Sequence, residues 1–274
     1  MMVEVLVHFV APALVGVLIG IASGLLGIGG GTVMVPIFRL AFGMSATMST
    51  ATSLFAIIPT SISGAISHVK GKTCIPALGI AAGLGGACLS PVGVWLAQLS
   101  PDWLVMLAAA LIIGYSAINM FKKAFKLRPA SQPVAEADAS ALTADDSSLS
   151  RKQLLQGAAI GLVAGLASGY VGVGGGLIMV PLMLSIIGIP MRKASGTSLI
   201  AVMILAIPGV IEQGIIGNIN YLAGIAIVIG TIPGAVIGAR LVTKVPERTL
   251  RLLFGCFLIV AAVMLVLNEV GIFG

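Results

Sequence analysis

Two stretches of this chain constrain its fold more than any others. The run GLLGIGGGTVMVPIF, Gly24 to Phe38, holds five glycines and a proline but no charge until its end is passed, and it returns as GYVGVGGGLIMVPLM, Gly169 to Met183. A shift of 145 positions superimposes the two without a gap. Between Gly16–Pro36 and Gly161–Pro181, twelve of 21 positions are identical, Ser23 and the triplet Gly29–Gly31 among them. The same shift pairs the TSL of Thr52–Leu54 with that of Thr197–Leu199, and also Gly43 with Gly188, Gly93 with Gly238 and Pro101 with Pro246. The chain is a duplicated unit, and each copy breaks its apolar pattern at the same place with the residues least suited to helices.

Around these breaks the sequence is too apolar for water. Of 274 residues 58% are hydrophobic and 9% charged, whereas about a quarter of a soluble domain is charged. Apolar segments of roughly 20 residues, the length that crosses hydrocarbon, recur along most of the chain. The composition predicts a polytopic membrane protein. The first apolar run, residues 5–26, lacks a basic leader and exceeds a signal-peptide core, so it reads as a retained helix. Cys74, Cys88 and Cys256 all lie inside apolar runs without CxxC spacing, which makes them small packing residues and excludes a metal motif.

Each half reads as five helical elements. In the first these are residues 5–26, a short 32–42, 46–67, 73–98 and 101–121; in the second, 154–171, a short 177–187, 191–215, 220–242 and 246–267. The short ones have half the length of a bilayer span. Residues 126–152 are rich in Ala, Ser, Asp and Pro and hold four of the nine acidic residues, Glu136, Asp138, Asp145 and Asp146. They read as a flexible cytoplasmic linker between a first repeat, 1–125, and a second, 153–274.

The charges set an expected topology. With the N-terminus outside and five crossings per half, fourteen of the fifteen basic residues face the cytoplasm and Arg39 alone faces out. An even number of crossings splits them eight to seven, so the positive-inside rule favours the odd number, with both termini periplasmic. The net charge of +6 is thereby explained by orientation rather than by nucleic acid. An odd number inverts one repeat relative to the other. The expected fold is an all-α polytopic membrane protein of two inverted-topology repeats, each with about five helical elements including one half-helix after a glycine-rich break.

In lipid, non-helical backbone survives only where protein or a wet cavity surrounds it. The triplets Gly29, Gly30, Gly31 and Gly174, Gly175, Gly176 each lead into a short helix, whose free N–H groups and positive dipole end suit an anion. The alternative is that these glycines only allow close helix packing. No strand precedes GIGGG, which excludes a dinucleotide fingerprint. A second feature is the hydroxyl face of the third element in each half: Ser49, Thr52, Ser53, Thr60, Ser63 and Ser67, then Ser195, Thr197 and Ser198. Such groups can bind an oxyanion without the cost of a buried charge, or can bond to helix carbonyls instead. Among charged groups, Glu212 beside Gln213 is a candidate proton relay or a wetted helix end. His68 titrates near neutral pH or lies in a solvated loop end, and Arg39 draws anions to the outer mouth or snorkels. Nothing resembles a catalytic triad, a metal site or a Walker motif, so no enzyme, catalytic residue or cofactor is expected.

At GLLGIGGGTVMVP, GYVGVGGGLIMVP, ATSL and GTSL, and in the hydrophilic central linker, the sequence resembles the sulfite exporter TauE/SafE family of integral membrane permeases, over the whole chain. The resemblance implies movement of sulfite, sulfoacetate or other organosulfonates across the bacterial inner membrane. The family is described as having about eight spans formed by duplication, where the charge count here favours an odd number per half. The expected function is secondary transport of a small sulfur oxyanion by alternating access, with Gly29–Gly31, Gly174–Gly176, Thr52, Ser53, Thr197 and Ser198 binding it at mid-membrane. Proton or sodium coupling and a homo-oligomer are compatible with this reading. A channel-like anion pore and a non-transporting scaffold or sensor are the alternatives.

Overall fold

The structure, a computed structural model, describes residues 11–126 and 150–269. Among these residues there is no strand, and ten helices follow in order: α1 (Ala11–Leu26), α2 (Gly31–Phe42), α3 (Ala46–Lys70), α4 (Pro76–Leu99), α5 (Asp102–Lys126), α6 (Arg151–Val171), α7 (Gly176–Leu182), α8 (Met191–Ile216), α9 (Tyr221–Leu241) and α10 (Glu247–Glu269). The expected start of the first helix at residue 5 and most of the linker, 127–149, lie outside the described residues. The linker's edges are helical: Lys126 closes α5, and Arg151 and Lys152 open α6. Ser150 accounts for that, because its hydroxyl accepts from Lys152 N–H while Gln153 Oε1 accepts from Ser150 N–H, a reciprocal cap that starts a helix.

Half-length α2 and α7 follow the glycine breaks as expected, with one difference. α7 stops at Leu182 and continues as a single π turn, Met183–Ile187. Pro181 lies just before this turn, and Ser185 Oγ–H donates to its carbonyl at 2.6 Å. A proline without an N–H and a hydroxyl competing for backbone are common causes of such a change in winding.

Five helices, α3, α4, α6, α8 and α9, are each 21 to 26 residues long and apolar enough to cross a membrane; at 1.5 Å per residue even the shorter ones reach about 31 Å. Their outer faces carry large hydrophobic side chains in the open: Ile215 is 81% exposed, Leu155 71% and Leu222 62%. The interior holds hydroxyls instead, with Ser49, Thr52, Ser53, Thr60, Ser195, Thr197 and Ser198 fully buried. This distribution belongs to a chain whose solvent is hydrocarbon.

Packing repeats at the offset seen in the sequence. α1 lies along α9, and α6, its equivalent, lies along α4; α3 packs on α9 while α8 packs on α4. α3 and α8 touch each other at the centre, α5 pairs with α10, and each short helix leans on its own half's long central helix. The halves therefore interlock. In lipid no hydrophobic force draws helices together, so contact depends on close approach. Glycines four residues apart provide it: a methyl group built on Gly20 would lie 2.4 Å from Thr231 O, and one on Gly24 would lie 2.1 Å from Ala235 O. On α6 the equivalents Gly165 and Gly169 abut Gly86 O and Ser90 O at 2.1 and 2.0 Å.

Two substitutions separate this close packing from helix propensity. Gly165→Ala drives its methyl into α4 backbone and should lower stability by about 1–3 kcal/mol. Gly114→Ala, on α5, meets nothing within 4 Å and should raise stability by about 1 kcal/mol. Thermal unfolding of the purified protein in one detergent checks both signs.

Candidate functional site

After α1 the backbone leaves helical geometry and returns to it only at α2. Gly27, Gly29 and Gly30 have φ of 74°, 75° and 86°, and at the same offset Gly172, Gly174 and Gly175 have φ of 71°, 82° and 62°. Gly30 and Gly175 are the N-cap residues of α2 and α7, and neither helix start receives a side-chain cap. Only glycine takes this left-handed conformation without strain, so the triplets cannot be read as packing devices alone.

The structure brings the two triplets together. A methyl group on Gly31 would lie 2.8 Å from the Val173 carbonyl carbon, and one on Gly176 would lie 2.4 Å from Gly27 O. The two loops are in backbone contact, and α2 and α7 start from that contact. Ile57 of α3 sits against both. Its Cδ1 would be 2.5 Å from a methyl on Gly31 and 2.8 Å from one on Gly174, and the residue is fully buried. Beside Gly175 and Ser168 remains a cavity of about 10 Å³, room for a single water.

Each of the four predicted hydroxyls bonds to backbone contributed by the other half. Ser53 Oγ–H donates to Gly172 O at 3.0 Å, and Ser198 Oγ–H donates to Gly27 O at 2.7 Å. Asn220 N–H donates to Thr52 Oγ1 at 3.0 Å, and Ile75 N–H donates to Thr197 Oγ1 at 2.9 Å. The pairs obey the 145-residue offset, so the repeats exchange these bonds reciprocally. The chemical consequence differs by residue. A serine has one proton, and Ser53 and Ser198 direct theirs at the carbonyls that hold the loops. Thr52 and Thr197 act as acceptors toward those amides.

Free donors gather around the first loop. The first amides of a helix have no intrahelical partner; in α2 those of Val33 and Met34 turn back to Gly30 O at 3.3 and 3.2 Å, and those of Gly31 and Thr32 have no backbone partner among the described residues. Ser23, Thr32, Ser49 and Ser61 are fully buried, and their hydroxyls have no partner among the described residues. Ser61 Oγ would lie 3.4 Å from a methyl on Gly29, and Ser23 Cβ 3.7 Å from one on Gly30. Around the second loop Ser168, equivalent to Ser23, is likewise unpartnered. Thr32, Ser49 and Ser61, however, are replaced there by Leu177, Ala194 and Ala206. The Gly176 N–H folds back on Gly174 O at 2.6 Å. The donor set is lopsided, and richer at α2.

Sequence reading had passed over Ser23, Thr32, Ser61 and Ile57. Ser23 carried a signal, since it is one of the identical pairs of the duplication. Thr32 and Ser61 have no counterpart in the second half, so the repeat could not point to them.

His68, Arg39 and Glu212 stand apart from the loops and from one another. His68 is fully buried, not a solvated loop end. Its Nε2–H donates to Gly24 O at 2.8 Å and its Nδ1 lies 2.7 Å from Thr73 Oγ1, tying the end of α1 to the end of α3. A carbonyl only accepts, which fixes the proton on Nε2 in the neutral ring. Arg39 is half-buried in the last turn of α2, eight residues past Gly31, or about 12 Å of helix. Glu212 is half-buried near the end of α8, about 21 Å along it from Ser198, with Oε2 unpartnered among the described residues.

Comparison with other proteins accords with this architecture. The chain is 27% identical to the probable membrane transporter protein YunE of Bacillus subtilis across 97% of its own length and 99% of the relative's. It is 28% identical to the probable membrane transporter protein YdhB of the same organism, across 87% and 92%. A probable membrane transporter protein of Haemophilus influenzae is 29% identical, across 93% and 97%. No solved structure gives a significant match. Residues 12–265, which contain both glycine loops and all the helices that hold them, match the sulfite exporter TauE/SafE family, and this multi-pass membrane protein therefore belongs to that family of membrane transporters.

Proposed function

We propose that the protein is a secondary transporter of small sulfur-containing oxyanions, sulfite or an organosulfonate, working by alternating access about the paired glycine loops. One observation carries the reading: two helix N-termini without side-chain caps start from one buried contact, surrounded by hydroxyls that have no partner among the described residues. Uncapped amides and the dipole of α2 favour negative charge. A buried polar group without a partner is costly, so a ligand that offers several acceptor oxygens relieves the cost. Among the described side chains nearest the loop glycines none is basic, and neutral donors bind an anion without trapping it, as turnover demands. In this reading the α2 amides, Thr32, Ser23 and Ser61 contact the anion; Gly29–Gly31 and Gly174–Gly176 shape the cradle. Thr52 and Thr197 complete it with their free protons, and Ser53 and Ser198 position the loops. Ile19, Met34, Ile57 and Val202, which pack on Gly29, Gly30 and Gly31, would accommodate an organic tail.

The loops are packed shut by Ile57, which supports alternation between closed states over a standing pore. Access requires Ile57 to withdraw, and inverted repeats give the two equivalent ways of doing so. Export against a gradient calls for a proton or sodium ion, and Glu212 is the candidate to carry it, at the end of α8 and apart from the loops. A bacterial inner membrane with the linker inside agrees with the charge distribution.

Three measurements test these assignments. Reconstituted protein should show saturable sulfite flux, and Gly30→Leu should reduce it more than about a hundredfold while detergent-purified yield is kept. Ser61→Ala removes one donor to a charged ligand, worth about 1.5–3 kcal/mol, and should raise KM about tenfold or more; an unchanged KM removes Ser61 from the site. Inversion of the repeats places cysteines substituted at Lys72 and Lys244 on one face of the membrane, and labelling from opposite faces refutes it.

A further inference from the structure

The duplication is least faithful along one helix contact, and there the chain has an opening. Between the ends of α3 and α9 lies a groove of about 600 Å³, lined by Ser63, Ser67, Lys70, Arg240 and Thr243 among others. It follows α3 from Lys70 inward to Ser63, about 10 Å at 1.5 Å per residue. Lys70 and Arg240 are exposed, and neither side chain has a hydrogen bond or ion pair among the described residues. No acidic residue lines the groove. Lys72, exposed on the turn beyond, has φ 52° where the second half has Gly217, a conformation that disfavours side chains.

At the inner end Thr60 Oγ1 and Thr231 Oγ1 lie 2.5 Å apart, both fully buried, and join α3 to α9. The adjacent residue, Ser61, borders Gly29. In the groove Ser63, Ser67 and Thr243 donate to the carbonyls of Ile232, Ser63 and Arg240, so its walls are polar but its attraction for an anion comes from the two cations. The equivalent contact between α8 and α4 shares none of this chemistry. Thr60 and Thr231 become Leu205 and Gly86; Ser63 and Ser67 become Pro208 and Glu212; Lys70 and Arg240 become Ile215 and Trp95.

We propose that the α3–α9 groove is an anion vestibule that serves one face of the protein only, with Lys70 and Arg240 gathering a small soluble oxyanion and the Thr60–Thr231 pair closing the way to the α2 end. The proposal rests on the transport reading for its destination, but its electrostatics stand without it. The two cations set the local anion concentration, and because they lie at the surface they act over roughly a Debye length and weaken with salt. The opposite approach, with an acid in place of a hydroxyl, repels the same solute. Loading is therefore asymmetric.

Charge-selective labelling tests this. Ser67→Cys, with Cys74, Cys88 and Cys256 replaced by alanine, is reacted with two methanethiosulfonates of similar size, one ending in a sulfonate and one in a trimethylammonium; Thr243→Cys serves as a second position. The full-length protein is held in phosphatidylcholine liposomes. The sulfonate reagent should react faster, its advantage should fall about tenfold in Lys70→Gln/Arg240→Gln, and millimolar methanesulfonate, an oxyanion that does not attack the reagent, should slow it. An advantage that survives loss of both cations overturns the proposal. So does labelling that methanesulfonate leaves untouched but added anionic lipid blocks, which makes the groove a lipid headgroup site. Sulfite flux in the same liposomes is a separate readout: absent flux with intact charge selection refutes the transport reading and spares the vestibule.

Discussion

Backbone polarity in hydrocarbon is the constraint on which everything else in this molecule depends. Breaking the backbone before α2 and α7 exposes amides and carbonyls that lipid cannot satisfy. The chain meets that cost by having each half serve the other. Ser53 of one half holds Gly172 of the second, and Ser198 of the second holds Gly27 of the first. Carbonyls of the loops are thereby paired, whereas the amides at the α2 end are left open. Loop shape and available donors come from the same arrangement, and neither repeat could supply it alone.

Most of the helices were readable from the residues, because length, apolarity and glycine punctuation act locally. The half-length of α2 and α7 followed from Gly29–Gly31 and Gly174–Gly176, and the repeat predicted that equivalent residues would do equivalent things. What stayed hidden depends on contacts between distant segments. His68 looked like a wetted end because it neighbours Lys70, yet the end of α1 folds over it and takes its proton in a bond to Gly24 O. The TSL hydroxyls looked like a ligand's partners and are first of all partners of the opposite backbone. Ser61 gave no signal because, at about 3.6 residues per turn, it lies off the face that Ser49, Thr52, Ser53, Thr60, Ser63 and Ser67 share.

Symmetry and its loss divide the structure between them. The shared features, which are the left-handed glycines, the exchanged hydroxyl bonds and the glycine-lined pairs α1–α9 and α4–α6, build the frame. The unshared ones, Thr32 and Ser61 at the loop and Thr60, Thr231, Lys70 and Arg240 along α3 and α9, make its two halves chemically different. A duplicated protein can keep two copies of a scaffold while one copy alone acquires polar contacts, since a hydroxyl replaced by alanine at equal volume leaves the packing intact.

The interlocking of the halves also bears on how the protein is made. α1 finds its main neighbour in α9, and 195 positions separate Leu26 from Tyr221. As the chain emerges during synthesis, the glycine face of its earliest described helix must wait in the bilayer until nearly all the rest has been translated. Until then Gly16, Gly20 and Gly24 present a bare backbone stripe to lipid, to a chaperone or to a second nascent chain. Biogenesis, more than the finished fold, is where this architecture is exposed to error.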